Sequence, residues 1–145
     1  MPDARAMTGE VHHASCVALA GRAVLILGAA GAGKSSLALQ LMAMGAGLVA
    51  DDRTRLWREA DRVMADAPDT IRGLIEARGV GILRPGAIGP VPLALVVDLD
   101  REASERLPPL RSITLAGVTL PLFANLPRAH FPAAIALYLR GADVC

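Results

Sequence analysis

The sequence contains few aromatic residues, few cysteines and no excess of either charge. Only 3% of the 145 residues are aromatic although 53% are hydrophobic, so the core has to be built from Ala, Val, Leu and Ile. The net charge of +1 gives no electrostatic footprint for nucleic acid or for an anionic membrane. Cys16 and Cys145 form neither a disulfide framework nor a metal-ligand spacing, which predicts a cytoplasmic protein with two free thiols.

Long apolar runs are also absent. The longest fall far short of the ~20 residues that cross a bilayer. The N-terminal segment MPDARAMTGEVHH lacks the apolar stretch of a signal peptide. No repeat, low-complexity tract or linker divides the chain. We therefore predict a single domain over residues 1–145, with a flexible segment at residues 1–11 and with no membrane or nucleic-acid partner.

Hydrophobic patterning predicts more strands than helices. A clear helix is expected at 34–44, and shorter helices near 68–74 and 130–139. Gly and Pro predict loops at 86–90 and 107–109. Strands are expected near residues 14–19, 23–27, 47–50, 54–57, 80–83, 91–98, 112–115 and 118–122.

A glycine-rich turn follows the second predicted strand. The segment GAAGAGKSS fits the phosphate-loop pattern G-x-x-x-x-G-K-[ST] and lies between an apolar strand and a helix, as that loop requires. Its N–H groups would form an anion nest, Lys34 would reach the β- and γ-phosphates of a nucleotide, and the Ser35 hydroxyl would ligate Mg²⁺. The alternative is a structural turn with a surface lysine. The predicted phosphate-binding residues are Gly28, Ala29, Ala30, Gly31, Ala32, Gly33, Lys34, Ser35 and Ser36.

Two adjacent carboxylates, Asp51 and Asp52, follow the next predicted strand. Adjacent residues on an extended strand point to opposite faces, so the two acids are expected to do different jobs. Phosphoryl transfer needs metal ligands and a group that handles the proton of the nucleophile. The pair is therefore a candidate for a metal-side ligand beside a catalytic base, and a surface turn is the alternative.

Four segments, in this order, resemble the catalytic domain of HPr kinase/phosphorylase, a bacterial family that phosphorylates a serine of the phosphocarrier HPr. They are His13 with Gly21, the loop GAAGAGKSS, the segment LVADDR, and EARGVGI at 76–82, which matches the family signature Glu-x-Arg-Gly-x-Gly-Ile. The similar Ile71-Arg72-Gly73 lacks the Glu and is interpreted as a decoy. The resemblance covers about residues 12–140.

This resemblance implies an α/β fold: a strand-rich P-loop kinase domain of the HPr kinase and phosphoenolpyruvate carboxykinase type. It implies an enzyme that uses ATP and Mg²⁺ and acts on HPr in the control of carbon metabolism. It also implies that Asp51 is the catalytic acid/base. The other implied catalytic residues are Lys34, His13 and Arg106. The residues implied at the Mg²⁺ site are Ser35, Glu76 and Asp52. The implied orienting residues of the signature are Arg78, Gly79 and Gly81. Solvated side chains remain the alternative for His13 and Arg106.

The sequence departs from the family pattern in four places, one of which is a shorter loop segment after Gly81. The short stretch before His13 predicts a form limited to the catalytic domain, and the C-terminal helices of the family are reduced to residues 132–140. The segment that the family needs for dephosphorylation corresponds to residues 121–126 and lacks both family arginines, although Arg128 and His130 follow as candidate substitutes. These departures weigh against phosphorylase activity and against a hexamer.

Two functions from other classes stay open. A P-loop kinase of small metabolites could use the same loop and acids, and a deep pocket would favour it. A non-catalytic nucleotide sensor could regulate a partner such as a sensor kinase, although the intact Asp51, Lys34 and Glu76 weigh against that function.

Overall fold

The computed structural model describes residues 9–145, and its main element is a mixed β-sheet of nine strands. Part of the predicted flexible segment, residues 1–8, lies outside the described residues. From Glu10 the chain is a paired strand, in register with Leu56, so the prediction of flexibility through residue 11 extends too far. Within residues 9–145, no helix combines the length and the apolar character that a membrane span requires.

Strands outnumber helices in the described chain, as the patterning predicts. The helices are α1 (Lys34–Ala43) and α2 (Phe131–Leu139), and a 3₁₀ turn covers Asp69–Ile71. The strands are β1 (Glu10–His12), β2 (Ala14–Leu19), β3 (Arg22–Leu27), β4 (Gly47–Ala50), β5 (Thr54–Glu59), β6 (Arg62–Asp66), β7 (Ile75–Ala77), β8 (Gly81–Leu83), β9 (Val91–Glu102), β10 (Arg111–Leu115) and β11 (Val118–Asn125).

Each predicted strand is present within a few residues of its expected bounds, and so are the helices at 34–44 and 130–139. The predicted helix at 68–74 is wrong. Pro68, the first residue of the predicted segment, has a non-helical ψ of 143°, and Gly73 has a φ of +78°, so only the 3₁₀ turn Asp69–Ile71 forms between them. Three strands were not predicted, namely β1, β6 and β7.

The sheet brings the ends of three strands to one edge. The strand order is β1-β5-β6-β9-β3-β2-β4, and outside this order β11 pairs with β9 and with β10. Strands β3, β9 and β11 are parallel to each other. Their carboxyl ends therefore open into one crevice, where open α/β sheets bind their ligands. A separate hairpin is formed by β7 and β8.

The core has two parts, one on each face of the sheet. Val24 and Ile26 of β3 pack with the helices, whereas Ala23 and Leu25 pack with residues of β5 and β6. Because both faces of β3 are covered, this strand is an unbroken apolar run instead of an alternating one. The largest fully buried side chains of the described chain are all Leu, Ile and Val, as the scarcity of aromatic residues predicts. The strand-rich α/β prediction is confirmed.

Candidate active site

The glycine-rich loop joins β3 to α1, and two of its glycines are required for different reasons. Gly33 has a φ of +105°, in the left-handed region that favours glycine, and it is the N-cap of α1. A Cβ added at Gly28 would lie 3.0 Å from Cβ of Ala32 and 3.2 Å from Cβ of Leu99. Within the described chain, no side chain caps α1 and no acid occupies its first turn. The N–H groups of that turn are thus available to an anion.

Lys34 is folded over this loop. Its side chain is buried, and Nζ donates hydrogen bonds to the carbonyl oxygens of Gly28, at 2.8 Å, and of Ala29, at 3.2 Å. The ammonium group is therefore held where the loop would receive phosphate oxygens, next to the first turn of α1.

Asp51 follows the end of β4 and is buried. Its Oδ1 accepts hydrogen bonds from Ser15 Oγ at 2.9 Å and from Ser35 Oγ at 2.6 Å. Its Oδ2 accepts the backbone N–H of Glu76 at 3.1 Å. One carboxylate thus connects β2, the start of α1 and β7, and it fixes the hydroxyl predicted to ligate Mg²⁺.

Asp52 has different surroundings. Its φ is +67°, a conformation that Asp tolerates better than most residues, and its backbone N–H donates to Ser15 Oγ at 3.1 Å. Its Oδ1 lies 2.7 Å from Nε2 of His13, and the two side chains are 56% and 55% exposed. The adjacent acids therefore have different surroundings. They do not lie on an extended strand, as expected from the sequence, but in a bend after β4, and both line the cavity described next.

A cavity of about 550 Å³ lies between the loop, the two acids and the β7–β8 hairpin. Glu76, Arg78 and Val80 line it from the hairpin, whose turn contains Gly79 with a φ of +85°. The other lining residues are Ala30, Gly31, Gly33, Lys34, Ser35, Ser36, Leu39, Asp51, Asp52 and Ala77. The structure therefore brings the predicted phosphate loop, both acids and the signature segment together, with His13 joined to them through Asp52.

Arg106 and Arg72 lie elsewhere. Arg106 is exposed in the loop between β9 and β10, and it is not among the described residues that line the cavity. Arg72, interpreted as part of a decoy, pairs with Asp66 at 2.6 Å and with Asp69 at 3.2 Å. The hydrogen bond with Asp66 raises the pKa of Arg72 further above its ordinary value. Arg72 therefore fastens the segment after β6 and does not reach the cavity.

The oxygen atoms around the cavity suit Mg²⁺ that arrives with phosphates. Ser35, Asp51, Asp52 and Glu76 all line the cavity. Among residues 9–145, no group of three or more His, Cys, Asp or Glu is arranged to hold a metal ion by itself. Mg²⁺ keeps several waters and binds proteins through one or two carboxylates together with substrate phosphates. The residues present thus fit a Mg²⁺–nucleotide complex, with part of the metal shell supplied by the phosphates.

Two residues at the site were missed in the sequence. Ser15 holds both Asp51 and Asp52, and a serine inside the apolar strand ASCVAL was the available signal. Asp100 accepts the N–H of Ala29 with both carboxylate oxygens, at 3.1 and 3.0 Å. Its signal was the acid alternation Asp98-Leu99-Asp100 at the end of an apolar strand.

Comparison with known proteins agrees with this architecture. Residues 5–87 match the family described as HPr Serine kinase C-terminal domain. The HPr kinase/phosphorylase of Bordetella pertussis is 40% identical over 114 residues, which are 70% of this chain and 37% of that protein. The protein of the same name from Peptoclostridium acidaminophilum is 46% identical over 72 residues, which are 49% of this chain and 23% of that protein.

The fold is also found in a solved structure, that of the Hpr(Ser) kinase/phosphatase from Coxiella burnetii. It superposes with a TM-score of 0.76 and 25% sequence identity, and the match covers 90% of this chain and 94% of that one. The alignments to the two curated relatives span 23% and 37% of those proteins. The family match covers more than half of the present sequence. With its phosphate loop, paired acids and signature hairpin in one cavity, this chain belongs to the HPr Serine kinase C-terminal domain family.

Proposed function

We propose that this chain transfers the γ-phosphoryl group of Mg²⁺-bound ATP to a serine hydroxyl of the phosphocarrier HPr. The observation that carries the proposal is one cavity that contains both a lysine-bearing phosphate loop and two carboxylates in unlike environments. The names of the relatives supply the substrate, since the matching proteins of B. pertussis and P. acidaminophilum are called HPr kinase/phosphorylase.

The loop and the acids divide the work of phosphoryl transfer. Lys34 and the N–H groups of α1 would hold the β- and γ-phosphates and offset the charge that develops on them. Ser35 and Glu76, which both line the cavity, would be ligands of Mg²⁺. When bound, Mg²⁺ would supply charge neutralisation between the phosphate oxygens. Arg78 lines the same wall and would orient Glu76 or a phosphate.

The hydrogen bonds favour Asp52 over Asp51 as the base. Asp51 is buried, and its carboxylate already accepts the hydroxyls of Ser15 and Ser35 and the N–H of Glu76. Asp52 is half-exposed, and within the described chain only its Oδ1 is engaged, by His13. A base must have a lone pair within reach of the incoming hydroxyl. We therefore assign Asp52 as the proton acceptor and Asp51 as the residue that supports Mg²⁺ binding. This is the reverse of the roles implied by the resemblance.

The shape of the cavity mouth favours a protein substrate over a small metabolite. Val80 at the rim is 78% exposed, and the side chain of Asp52 is 56% exposed. A metabolite kinase would enclose its substrate in a deep pocket, as small-molecule sites do. An open mouth instead admits a serine that is carried on a folded partner. Phosphorylase activity, the oligomeric state, the role of Arg106 and cytoplasmic localisation remain predictions.

One assay tests the proposal. Purified protein is incubated with Mg²⁺–ATP and HPr from the same source, and the products are separated on a phosphate-affinity gel. We expect phospho-HPr with the natural sequence and none with Lys34→Ala, because the lysine contributes to the charge balance of the transfer. Tight ATP binding without transfer would indicate the nucleotide sensor, and transfer to small alcohols or acids instead of HPr would indicate the metabolite kinase. Either result contradicts the proposal.

A further inference from the structure

A second cavity, of about 280 Å³, lies on the other side of the phosphate loop. It shares Gly33 and Ser36 with the acid-lined cavity, so the two cavities meet at the first turn of α1. The end of β11 and the start of α2 form its far wall. Its other lining residues are Ala32, Leu37, Gln40, Leu99, Asn125, Leu126, Pro127, Arg128, Ala129, Phe131 and Pro132.

We infer that this second cavity binds the nucleoside half of the nucleotide, with Asn125 and Arg128 as its polar contacts. The inference rests on the proposed function, because it takes the loop to hold the phosphates. It adds where the base and ribose lie and which side chains hold them.

The positions of the acids set the direction of the nucleotide. The γ-phosphoryl group has to lie next to the proton acceptor and the Mg²⁺ ligands, and Asp51, Asp52 and Glu76 all line the first cavity. A phosphate chain laid across the N–H groups at Gly33 and Ser36 therefore carries its nucleoside end away from these acids. The second cavity lies at that end, because it shares the same two residues.

The sheet topology points to the same place. Leu99 belongs to β9, and Asn125 is the last residue of β11. Strand β9 pairs in parallel with β3, and β11 pairs in parallel with β9. In open α/β sheets, ligands occupy the crevice outside the carboxyl ends of such strands. A nucleotide that starts at the loop after β3 would therefore extend across the ends of β9 and β11.

The lining residues match the chemistry of a base. Leu99, Leu126 and Pro127 offer apolar contact to the flat faces of a ring. The half-buried Asn125 amide can both donate to and accept from the polar edge of a base or a ribose hydroxyl. The guanidinium of Arg128 can stack on a base or donate to it. Neither side chain has a hydrogen-bond partner among residues 9–145.

The cavity size agrees with half of a nucleotide. Sites for whole drug-sized ligands occupy ~300–1,000 Å³. At about 280 Å³ the second cavity falls just below that range, as expected if the phosphates lie outside it on the loop. Arg128 has one competing role, since a guanidinium beside a phosphate loop could bind phosphate oxygens instead of the nucleoside.

The experiment compares two probes by titration calorimetry, Mg²⁺–ATP and Mg²⁺–tripolyphosphate, which share the phosphates but not the nucleoside. The variants are Asn125→Ala and Arg128→Ala, with Arg111→Ala as a matched control, because Arg111 is exposed on β10 and lines neither cavity. Thermal melting of each variant confirms that it is folded. We expect ATP affinity to fall about tenfold in Arg128→Ala, as for the loss of one charged hydrogen bond, and severalfold in Asn125→Ala. Tripolyphosphate affinity should not change.

The outcomes separate this inference from the proposed function. If ATP affinity is unchanged in both variants, or if ATP binds the natural sequence no better than tripolyphosphate, the nucleoside assignment is overturned. A parallel loss of tripolyphosphate affinity in Arg128→Ala would make Arg128 a phosphate ligand and also overturn it. If the natural sequence binds neither probe, the phosphate-loop function itself fails, and the inference that rests on it falls with it.

Discussion

Nε2 of His13 and Oδ1 of Asp52 lie 2.7 Å apart and join segments separated by 39 residues. His13 lies between β1 and β2, and Asp52 follows β4 in a left-handed conformation. The contact fixes the rotation of a carboxylate that is otherwise exposed. With Oδ1 held by the imidazole, Oδ2 is the oxygen left to accept the proton in the proposed mechanism, and we expect His13 to act as a positioning residue for that base.

The first prediction removes this contact. In His13→Ala we expect the kcat of HPr phosphorylation to fall about tenfold, as for the loss of a hydrogen bond to a charged group, with the KM for ATP little changed. His13→Gln, which keeps a donor, should restore part of the rate. Steady-state kinetics at saturating ATP provide the measurement.

The neighbouring histidine serves as the control for that experiment. His12 Nε2 lies 3.6 Å from Oε2 of Glu10, whereas the imidazole that hydrogen-bonds to Asp52 is that of His13. His12→Ala should therefore retain the natural rate. Equal losses in the two alanine variants would show that the strand, and not the His13–Asp52 contact, is responsible.

The second prediction separates the two acids. Asp52→Asn should lower the transfer rate by about 10²–10⁴-fold, the usual contribution of a general base, with ATP affinity nearly unchanged. Asp51→Asn should instead raise the Mg²⁺ concentration needed for half-maximal rate. It should also lower the free energy of unfolding by about 1–3 kcal/mol, because it disturbs a buried carboxylate with three hydrogen-bond donors.

Magnesium titration decides between the assignments. Excess Mg²⁺ should restore part of the activity of Asp51→Asn and of Glu76→Gln but none of Asp52→Asn. The opposite pattern, with rescue of Asp52→Asn alone, would return the base role to Asp51 as the resemblance implies.

The phosphate loop could be predicted from the sequence because its function restricts its residue types. Gly33 has a positive φ, and a Cβ at Gly28 would crowd Ala32 and Leu99, so both positions favour glycine and the loop can be recognised as a motif. The division of roles between Asp51 and Asp52 could not be predicted in this way. It depends on Ser15, which precedes Asp51 by 36 residues and contacts both acids only once β2 lies beside β4.

The missed strands have physical reasons of the same kind. β6 is short, begins with an exposed arginine and ends with Asp66, so it shows little alternation. In the hairpin turn between β5 and β6, Ala60 has a φ of +58°. A glycine or asparagine at this position would have allowed the turn to be predicted from the sequence. β7 contains only three residues and is fastened by the contact of Glu76 N–H with Asp51. Tertiary contacts, and not local pattern, specify these strands.

The third prediction concerns the two thiols. Cys16 is fully buried in β2, and burial raises the pKa of its thiol well above the ordinary value. Cys145 is exposed. Because the thiolate is the reactive form, an alkylating reagent at pH 8 should modify Cys145 within minutes and leave Cys16 untouched until the protein unfolds. Peptide mass spectrometry checks this; equal labelling of both thiols in the folded protein would contradict the described packing of β2.

The fourth prediction concerns the dephosphorylation of phospho-HPr by phosphorolysis, in which inorganic phosphate takes the phosphoryl group and pyrophosphate is released. Inorganic phosphate has to lie next to phosphoserine, and two anions repel unless cations offset them. Residues 121–125 lie within β11 and contain no arginine, so they offer no such cation. We expect a kinase-dominant enzyme whose release of pyrophosphate from phospho-HPr is weak at millimolar phosphate. Comparable rates of phosphorylation and phosphorolysis, measured on one preparation, would show that Arg128, His130 or the loop suffices.

The two hydrogen bonds from Lys34 to the carbonyl oxygens of Gly28 and Ala29 have a kinetic consequence. They brace the loop from within, so we expect the loop to need little rearrangement before it binds phosphates. Binding then exchanges two carbonyl contacts of one side chain for phosphate contacts and does not require the loop to fold first. Association should therefore follow a single exponential phase whose rate rises linearly with nucleotide concentration, without the plateau that a slow loop rearrangement would impose.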